Sequence, residues 1–338
     1  MPSIHDVAQR AGVSSATVSR VLAGKESVNA ELRDRVLKAS YELNYRPNKV
    51  ARSLRVQKST TIGLVIPDIQ NPFYLSIVRA VEDVAYESHY RVFLCNSDED
   101  IEKEALYLNQ LLDENIAGVI LSPAREKNTP ITNQIRHFFD HTPVVALDRR
   151  LTGIALDTVL TNNEEATYEL VSHLISNGHR SIGAILGVGD ISTGRERMTG
   201  YMRALADHDI PFMPERVIQV IPKEANGYAA ARQLLALPEP PTALFTGNCE
   251  LTSGVLRAVH ELNLNVPNDI ALAGFDDMQW NVIVQPGITA VAQPTYELGR
   301  TAANLLMERI ENPTLPIREV VLKSKLVVRK SSEFSVRV

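Results

Sequence analysis

Two sets of residues in this sequence could do chemistry at a surface. The first lies near the start. Ser14, Ser15, Ala16, Thr17, Ser19 and Arg20 are small, hydroxylated or basic, with no acid among them. Such side chains let a helix come close to a polyanion, and hydroxyl and guanidinium groups can meet base edges in a DNA groove. The second set sits in loops that follow apolar runs: Phe73 and Tyr74, Asp148 and Arg149, Thr193 and Arg197, and Asp276 or its neighbour Asp277. Arginine and aspartate supply donors and acceptors for hydroxyl groups, and an aromatic ring offers an apolar plate to the C–H face of a sugar.

The elements that must position the first set are short helices. Ser3 can cap a helix over about 4–11, whose apolar stripe is Ile4, Val7, Ala8 and Ala11. Gly12 and Val13 make a tight turn. Ser14 caps a second helix over about 15–22, with Val18, Val21 and Leu22 inward. After the loop around Gly24, Asn29 caps a third over about 30–44, with Leu32, Val36, Ala39 and Leu43 on one face. Two helices joined by a short turn containing glycine read as a helix-turn-helix, whose second helix presents its first residues to the major groove. Many three-helix domains share that outline.

Charge sharpens the reading. Residues 1–60 hold 11 bases and 5 acids, whereas the remaining 278 hold 24 bases and 35 acids. A basic head on an acidic body implies a polyanionic partner for the head alone, although a lopsided solvated surface would give the same count. Residues 45–58, YRPNKVARSLRVQK, place Leu54 among Arg52, Arg55 and Lys58. The stretch reads either as a flexible basic linker or as a short helix that folds on DNA and pushes an apolar wedge into the minor groove.

The second set needs a different scaffold. Strand-like runs at 60–67, 90–96, 117–123, 142–148, 181–187, 242–247 and 269–277 alternate with amphipathic stretches at about 73–88, 102–114, 164–177, 195–208, 225–236, 251–262 and 295–311. Apolar strands alternating with helices imply parallel sheets covered on both faces. Two clusters of these units, with crossovers near 290–294 and 316–325, predict two Rossmann-like lobes. Such lobes bind ligands at the carboxyl ends of their strands, where the second set lies.

Residues 3–55, IHDVAQRAGVSSATVSRVLAGKESVNAELRDRVLKASYELNYRPNKVARSLR and the serine before them, closely resemble the head-piece of the LacI/GalR family of bacterial transcription regulators. The resemblance implies an α/β protein with an all-α helix-turn-helix head at 1–45 and a hinge helix and linker at 46–59. An effector-binding and dimerisation core like a periplasmic binding protein would fill 60–338. Lobe 1 would take about 60–160 and 293–320, and lobe 2 about 161–292 and 321–330. By the same resemblance Ser15 and Ala16 mainly set operator sequence, and Arg20 is the base-contacting arginine. Leu54 is the leucine inserted at the central operator step, with Asn48, Ala51 and Arg55 on DNA beside it. Phe73 and Tyr74 become aromatic contacts with the effector, with helix-capping core residues as the alternative. Arg197 and Asp276 match effector-contacting positions, a surface salt bridge being the alternative for Arg197, and Thr193 in the loop before Arg197 is a further effector candidate. Asp148 and Arg149 end the fourth strand. Arg149 could meet an acidic or phosphate group, or pair with a nearby carboxylate.

The expected partners are double-stranded operator DNA with a pseudo-palindrome, a small sugar, sugar acid or sugar phosphate, and a second copy of the chain. The tail RKSSEFSVRV carries no leucine heptad, so a dimer is expected rather than a tetramer. A purine is the rival effector, but purine-responsive relatives carry arginine where this chain has Ile191. A sugar receptor without DNA function is the rival from another class, and a two-lobed enzyme a more distant one. No nucleophile–base constellation is visible, so no catalysis is expected. The Gly-x-Gly of GVGDISTG lacks the spacing of a nucleotide-binding loop, and His137 and His141 lack further metal ligands. No cofactor is expected. Cys95 and Cys249 are too few for a disulfide framework and read as core. No apolar run reaches the ~18 residues of a membrane span and no signal-peptide core is present, so a soluble cytoplasmic protein is expected.

Overall fold

The computed structural model describes residues 2–22, 28–45, 59–125 and 138–333. The loop around Gly24, the hinge positions Asn48, Ala51, Leu54 and Arg55, and His137 lie outside the described residues. The chain forms two compact units, 1–59 and 60–338.

The head holds α1 (Ile4–Ala11), α2 (Ser15–Leu22) and α3 (Ala30–Glu42). Local chemistry sets each boundary. Ser3 and Asp6 cap α1 reciprocally, and Gly12 ends it in the left-handed region at φ 64°. A side chain at Gly12 would also strike the Arg35 guanidinium, which donates to the Ala11 carbonyl at 2.6 Å. The Thr17 amide donates to Ser14 Oγ at 3.2 Å, and the Glu31 amide to Asn29 Oδ1 at 2.9 Å. Val7, Ala8, Ala11, Val18, Val21, Val36 and Ala39 form a core shared by all three helices. Helix α3 stops two residues earlier than its apolar pattern suggests, because Asn44 turns to φ 47°.

The body holds two parallel α/β lobes. In the first, β1 (Thr61–Ile66), β2 (Arg91–Asn96), β3 (Gly118–Leu121), β4 (Val144–Leu147), β5 (Asp157–Thr161) and β11 (Glu319–Leu322) lie in the order β11-β5-β4-β3-β1-β2. Helices α4 (Phe73–Glu87) and α5 (Ile101–Asp113) follow β1 and β2. In the second lobe, β6 (Ile182–Gly187), β7 (Val217–Val220), β8 (Ala243–Thr246), β9 (Ala271–Phe275), β10 (Thr289–Ala292) and β12 (Lys325–Val327) lie in the order β12-β10-β9-β8-β6-β7. Helices α6 (Asn163–Ser176), α7 (Ser192–Asp207), α8 (Glu224–Leu235), α9 (Cys249–Glu261) and the short α10 (Trp280–Ile283) belong to it. Among the described residues, only β12 runs antiparallel to its neighbour. Helix α11 (Thr295–Glu311) returns to the first lobe, burying Leu298, Ala302 and Leu306 with Ile77 and Val81 of α4.

Each sheet reverses strand order beside its first strand, which opens a crevice at the carboxyl ends there. The chain crosses between lobes three times: after β5, after β10, and between β11 and β12. Leu322 still pairs with Thr161 on the first sheet. The third crossing therefore falls at residues 323–324, slightly later than the lobe boundary expected from sequence. Strands β5, β7, β10, β11 and β12 are not among the apolar runs, and the last three fall in or beside the stretches read as crossovers. Strands β7 and β11 are half-exposed sheet margins, and β5 is interrupted by polar side chains.

Helices α8 and α9 approach closely at Gly254. A methyl group there would collide with the Glu224 carbonyl oxygen and the Tyr228 amide. Gly254→Ala is expected to destabilise the body by about 1–3 kcal/mol through overpacking. The helix preference of alanine, about 1 kcal/mol, acts in the opposite sense. A urea melt should show a lower midpoint with an unchanged slope.

Candidate nucleic-acid interface and ligand cleft

On α2 the chemistry-bearing residues point away from the head core. Ser14, Ala16 and Arg20 are exposed, and Ser15, Thr17 and Ser19 half-buried. Val18 and Val21 hold the opposite face in the core. The surface is therefore low and polar, with one long cation at its end. Ser14 also serves the fold as the cap, and Ser15 Oγ lies 3.1 Å from His5 Nδ1 on α1. Two other bases of the head are structural: Arg10 pairs with Glu42 at 2.8 Å, and Arg35 holds the end of α1.

In the body, the seven positions singled out from sequence line one cleft between the lobes. Phe73, Tyr74, Asp148 and Arg149 come from the first lobe, and Thr193, Arg197 and Asp276 from the second. The cleft is narrow, with a cavity of about 30 Å³. Both aspartates occupy equivalent points. Asp148 follows β4 at φ 65° and Asp276 follows β9 at φ 74°. Each amide still donates to the next strand, Asp148 to the Val159 carbonyl at 2.8 Å and Asp276 to that of Val291 at 2.9 Å. Aspartate tolerates this left-handed turn, which aims its carboxylate off the strand end. Asp277, the other candidate, is instead gripped by Arg329 at 2.7 and 2.8 Å.

The core reading of Tyr74 and Phe73 holds, and both rings also reach the cleft. They are buried in the first lobe's core, edge-on to one another at 5.0 Å and 85°. The Tyr74 hydroxyl donates to Asp148 at 3.1 Å and lies 3.0 Å from Ser122 Oγ. Burial pushes the Asp148 carboxyl up to about 6, with the charge of Asp276 adding to it against Arg149 and Arg197. Arg197 lies flat over the Phe275 ring at 3.8 Å. Its Nε donates to Asn163 at 3.0 Å, and its Nη1 donates to the Gly247 carbonyl. Gln293, beside the second crossing, donates to Asp276 at 2.6 Å and accepts from Thr161 at 2.7 Å. It thus ties a cleft carboxylate to the crossing strands.

Sequence reasoning missed Asn71, Pro222, Asn248, Leu251 and Gln293, which also line the cleft. The turn residues in QNPF and the Asn248 cap before α9 were available signals. Nothing local marked Glu99. Its two carboxylate oxygens accept from both terminal nitrogens of Arg149, at 2.8 and 2.7 Å. Arg149 Nη1 also donates to the Pro123 carbonyl at 3.2 Å. Burial opposes the charge on Glu99, yet Arg149 and Arg125 hold its carboxyl below the usual range.

Behind this pair, Glu104 accepts from the Ala124 amide at 2.6 Å, and burial pushes its carboxyl up from 4.5 to about 7. A carboxyl whose folded value lies above its unfolded one binds more protons when folded. Its contribution to stability is present at low pH and is lost as pH rises between 4.5 and about 7. Glu104→Gln keeps an acceptor for Ala124 without the charge. The variant is expected to melt higher than the parent at about pH 8, with the gap closing towards about pH 5. Thermal melts across pH test it; a gap independent of pH would contradict it.

Among the described residues no cluster of histidine, cysteine or acidic side chains could hold a metal ion, and no helix is long and apolar enough to cross a membrane. Cys95 and Cys249 are buried.

Comparison with known proteins places this geometry. Residues 3–48 match the model for bacterial regulatory proteins of the lacI family, and residues 171–332 that for the periplasmic binding protein-like domain. The HTH-type transcriptional repressor PurR of Pectobacterium atrosepticum is 35% identical over 332 residues, covering 98% of this chain and 97% of its own. The lac repressor dimer, solved bound to operator and the anti-inducer ONPF, superposes with a TM-score of 0.85 at 26% identity, over 98% of this chain and 99% of its own. The transcriptional regulator CelR in complex with cellobiose gives 0.73 at 29% identity, over 98% and 100%. With a small-residue recognition helix on a three-helix head, and a two-lobed body that gathers arginine, aspartate and aromatic side chains into one cleft, this chain belongs to the LacI family of DNA-binding transcription regulators.

Proposed function

We propose that this regulator represses transcription as a homodimer on a pseudo-palindromic operator, and that a sugar bound between its lobes sets operator affinity. The observation that carries the reading is the cleft itself. Two carboxylates from equivalent strand ends, a guanidinium and an aromatic wall converge from lobes joined by three crossings. A ligand that contacts both lobes favours one angle between them, so its binding energy is coupled to the head pieces that read the two half-sites. The CelR–cellobiose structure supports a carbohydrate ligand by likeness. Two copies suit the outer strand β2, which exposes Phe93 and Leu94 and would be a sticky edge if uncovered. The setting for such a protein is the cytoplasm, where operator and metabolite meet.

A purine is the second reading, favoured by the likeness to PurR. Against it, the two lining rings are neighbours set edge-on and do not face one another as plates around a flat base.

Selection of bound duplexes from random DNA by the full chain tests the first part, with a two-fold symmetric consensus expected. Anisotropy of that duplex with added sugars or nucleobases tests the second. A sugar-dependent change of affinity is expected. An asymmetric consensus, or a response to purines alone, would overturn the corresponding part.

A further inference from the structure

We infer that Glu99 sets the charge preference of the cleft, neutralising Arg149 so that the cleft takes an uncharged sugar and turns away sugar acids and sugar phosphates. The inference rests on the sugar reading above and narrows it to one chemical class.

The inventory of charge leads there. Two guanidinium groups line the cleft, Arg149 and Arg197. A carboxylate or phosphate ligand is gripped by a guanidinium fork with its terminal nitrogens available. Both terminal nitrogens of Arg149 are taken by the two oxygens of Glu99, in a pair buried on both sides. Arg197 keeps its charge uncancelled, since its hydrogen bonds go to the neutral Asn163 and Gly247 groups. Against it stand Asp148 and Asp276, one from each lobe. Asp148 also lies 3.9 Å from Arg149 Nε, and with Glu99 counted the site holds three carboxylates against two guanidinium groups, one negative charge in excess. An anionic ligand would meet net repulsion in a site shielded from water, where charges are weakly screened. Hydroxyl groups can donate to both aspartates and accept from Arg197.

The surrounding cations offer no replacement. Arg125 pairs with Glu99 at 3.3 Å and Asp190 at 3.1 Å. Lys223 pairs with Asp68 at 2.7 Å and Asp98 at 3.1 Å. Arg150 bridges Glu196 and Glu319. Three backbone donors where α4 and α9 begin are also occupied: the Phe73 amide by Asn71, the Leu251 amide by Asn248, and the Cys249 amide by Asp276 itself.

Calorimetric titration of the full-length protein tests the inference. The probes are D-ribose, D-glucose, D-galactose and cellobiose, each beside its charged counterpart: ribose 5-phosphate, glucose 6-phosphate, galacturonate and cellobionate. At least one neutral sugar is expected to bind, about tenfold or more tighter than its counterpart. Glu99→Gln releases the Arg149 fork, and the neutral-to-anion preference is expected to fall by about tenfold. Should that variant fail to fold, the double substitution Glu99→Leu, Arg149→Met removes the buried pair together, a change often tolerated. It leaves the net charge unaltered, so the neutral preference is expected to persist. Wild-type protein that binds an acid or phosphate as tightly as the parent sugar would overturn the inference while leaving the sugar reading intact. Absence of binding by every probe would overturn both.

Discussion

Replacing Arg20 with alanine is expected to cost the dimer most of its operator preference. Arg20 is an exposed cation on α2, one turn beyond Ala16, and it contributes nothing to the head core. A guanidinium held there can donate twice to a guanine edge, worth roughly 1–3 kcal/mol per base pair discriminated. Two heads double the effect to roughly 2–6 kcal/mol, since each half-site is read once. At about 1.4 kcal/mol per tenfold, affinity for the preferred duplex should drop by more than about 25-fold. Affinity for scrambled duplex should fall far less, because that term comes from phosphates. Equal losses on both duplexes would assign Arg20 to the phosphate backbone instead.

The second large effect is expected at Arg197. Arg197→Ala should leave operator binding intact and remove the response to ligand. The guanidinium is fixed in one plane by the Phe275 ring, Asn163 and the Gly247 carbonyl, so it meets a ligand already oriented. Loss of a charge-assisted hydrogen bond costs about 1.5–3 kcal/mol, or roughly 10- to 150-fold in ligand affinity. Arg197→Lys is not expected to rescue it, because an ammonium cannot reproduce the planar fork or lie over the ring in the same way. Anisotropy with operator duplex at increasing ligand measures both quantities in one titration. A variant that still responds at the parent's concentration would remove Arg197 from the site.

How far the sequence led depended on the range of each interaction. The head was legible almost residue by residue, because its boundaries rest on contacts three or four positions apart, such as Ser3 with Asp6 and Thr17 with Ser14. The lobes were legible wherever a strand was apolar throughout, as in β1, β6 and β9. They were not at β7 and β11, where partial exposure breaks the pattern. The cleft positions could be named because strand ends converge by topology. The state of Arg149 could not be read, since Glu99 lies fifty residues away and meets it only once the strands are ordered. The choice between Asp276 and Asp277 likewise depended on Arg329.

The path of the chain has a consequence for synthesis on the ribosome. The first lobe's core waits for Leu298, Ala302 and Leu306 of α11, and its sheet for β11. The second lobe waits for β12 at its margin and for Ser331, whose hydroxyl donates to the Leu272 carbonyl at 2.6 Å. The first lobe cannot close until α11 and β11 have emerged, nor the second until β12 has, whereas the helices of the head already have a core of their own. A nascent chain therefore carries a finished DNA reader ahead of two open apolar faces, the kind of species that chaperones hold and proteases remove. A chain that stops before β11 leaves both lobes open.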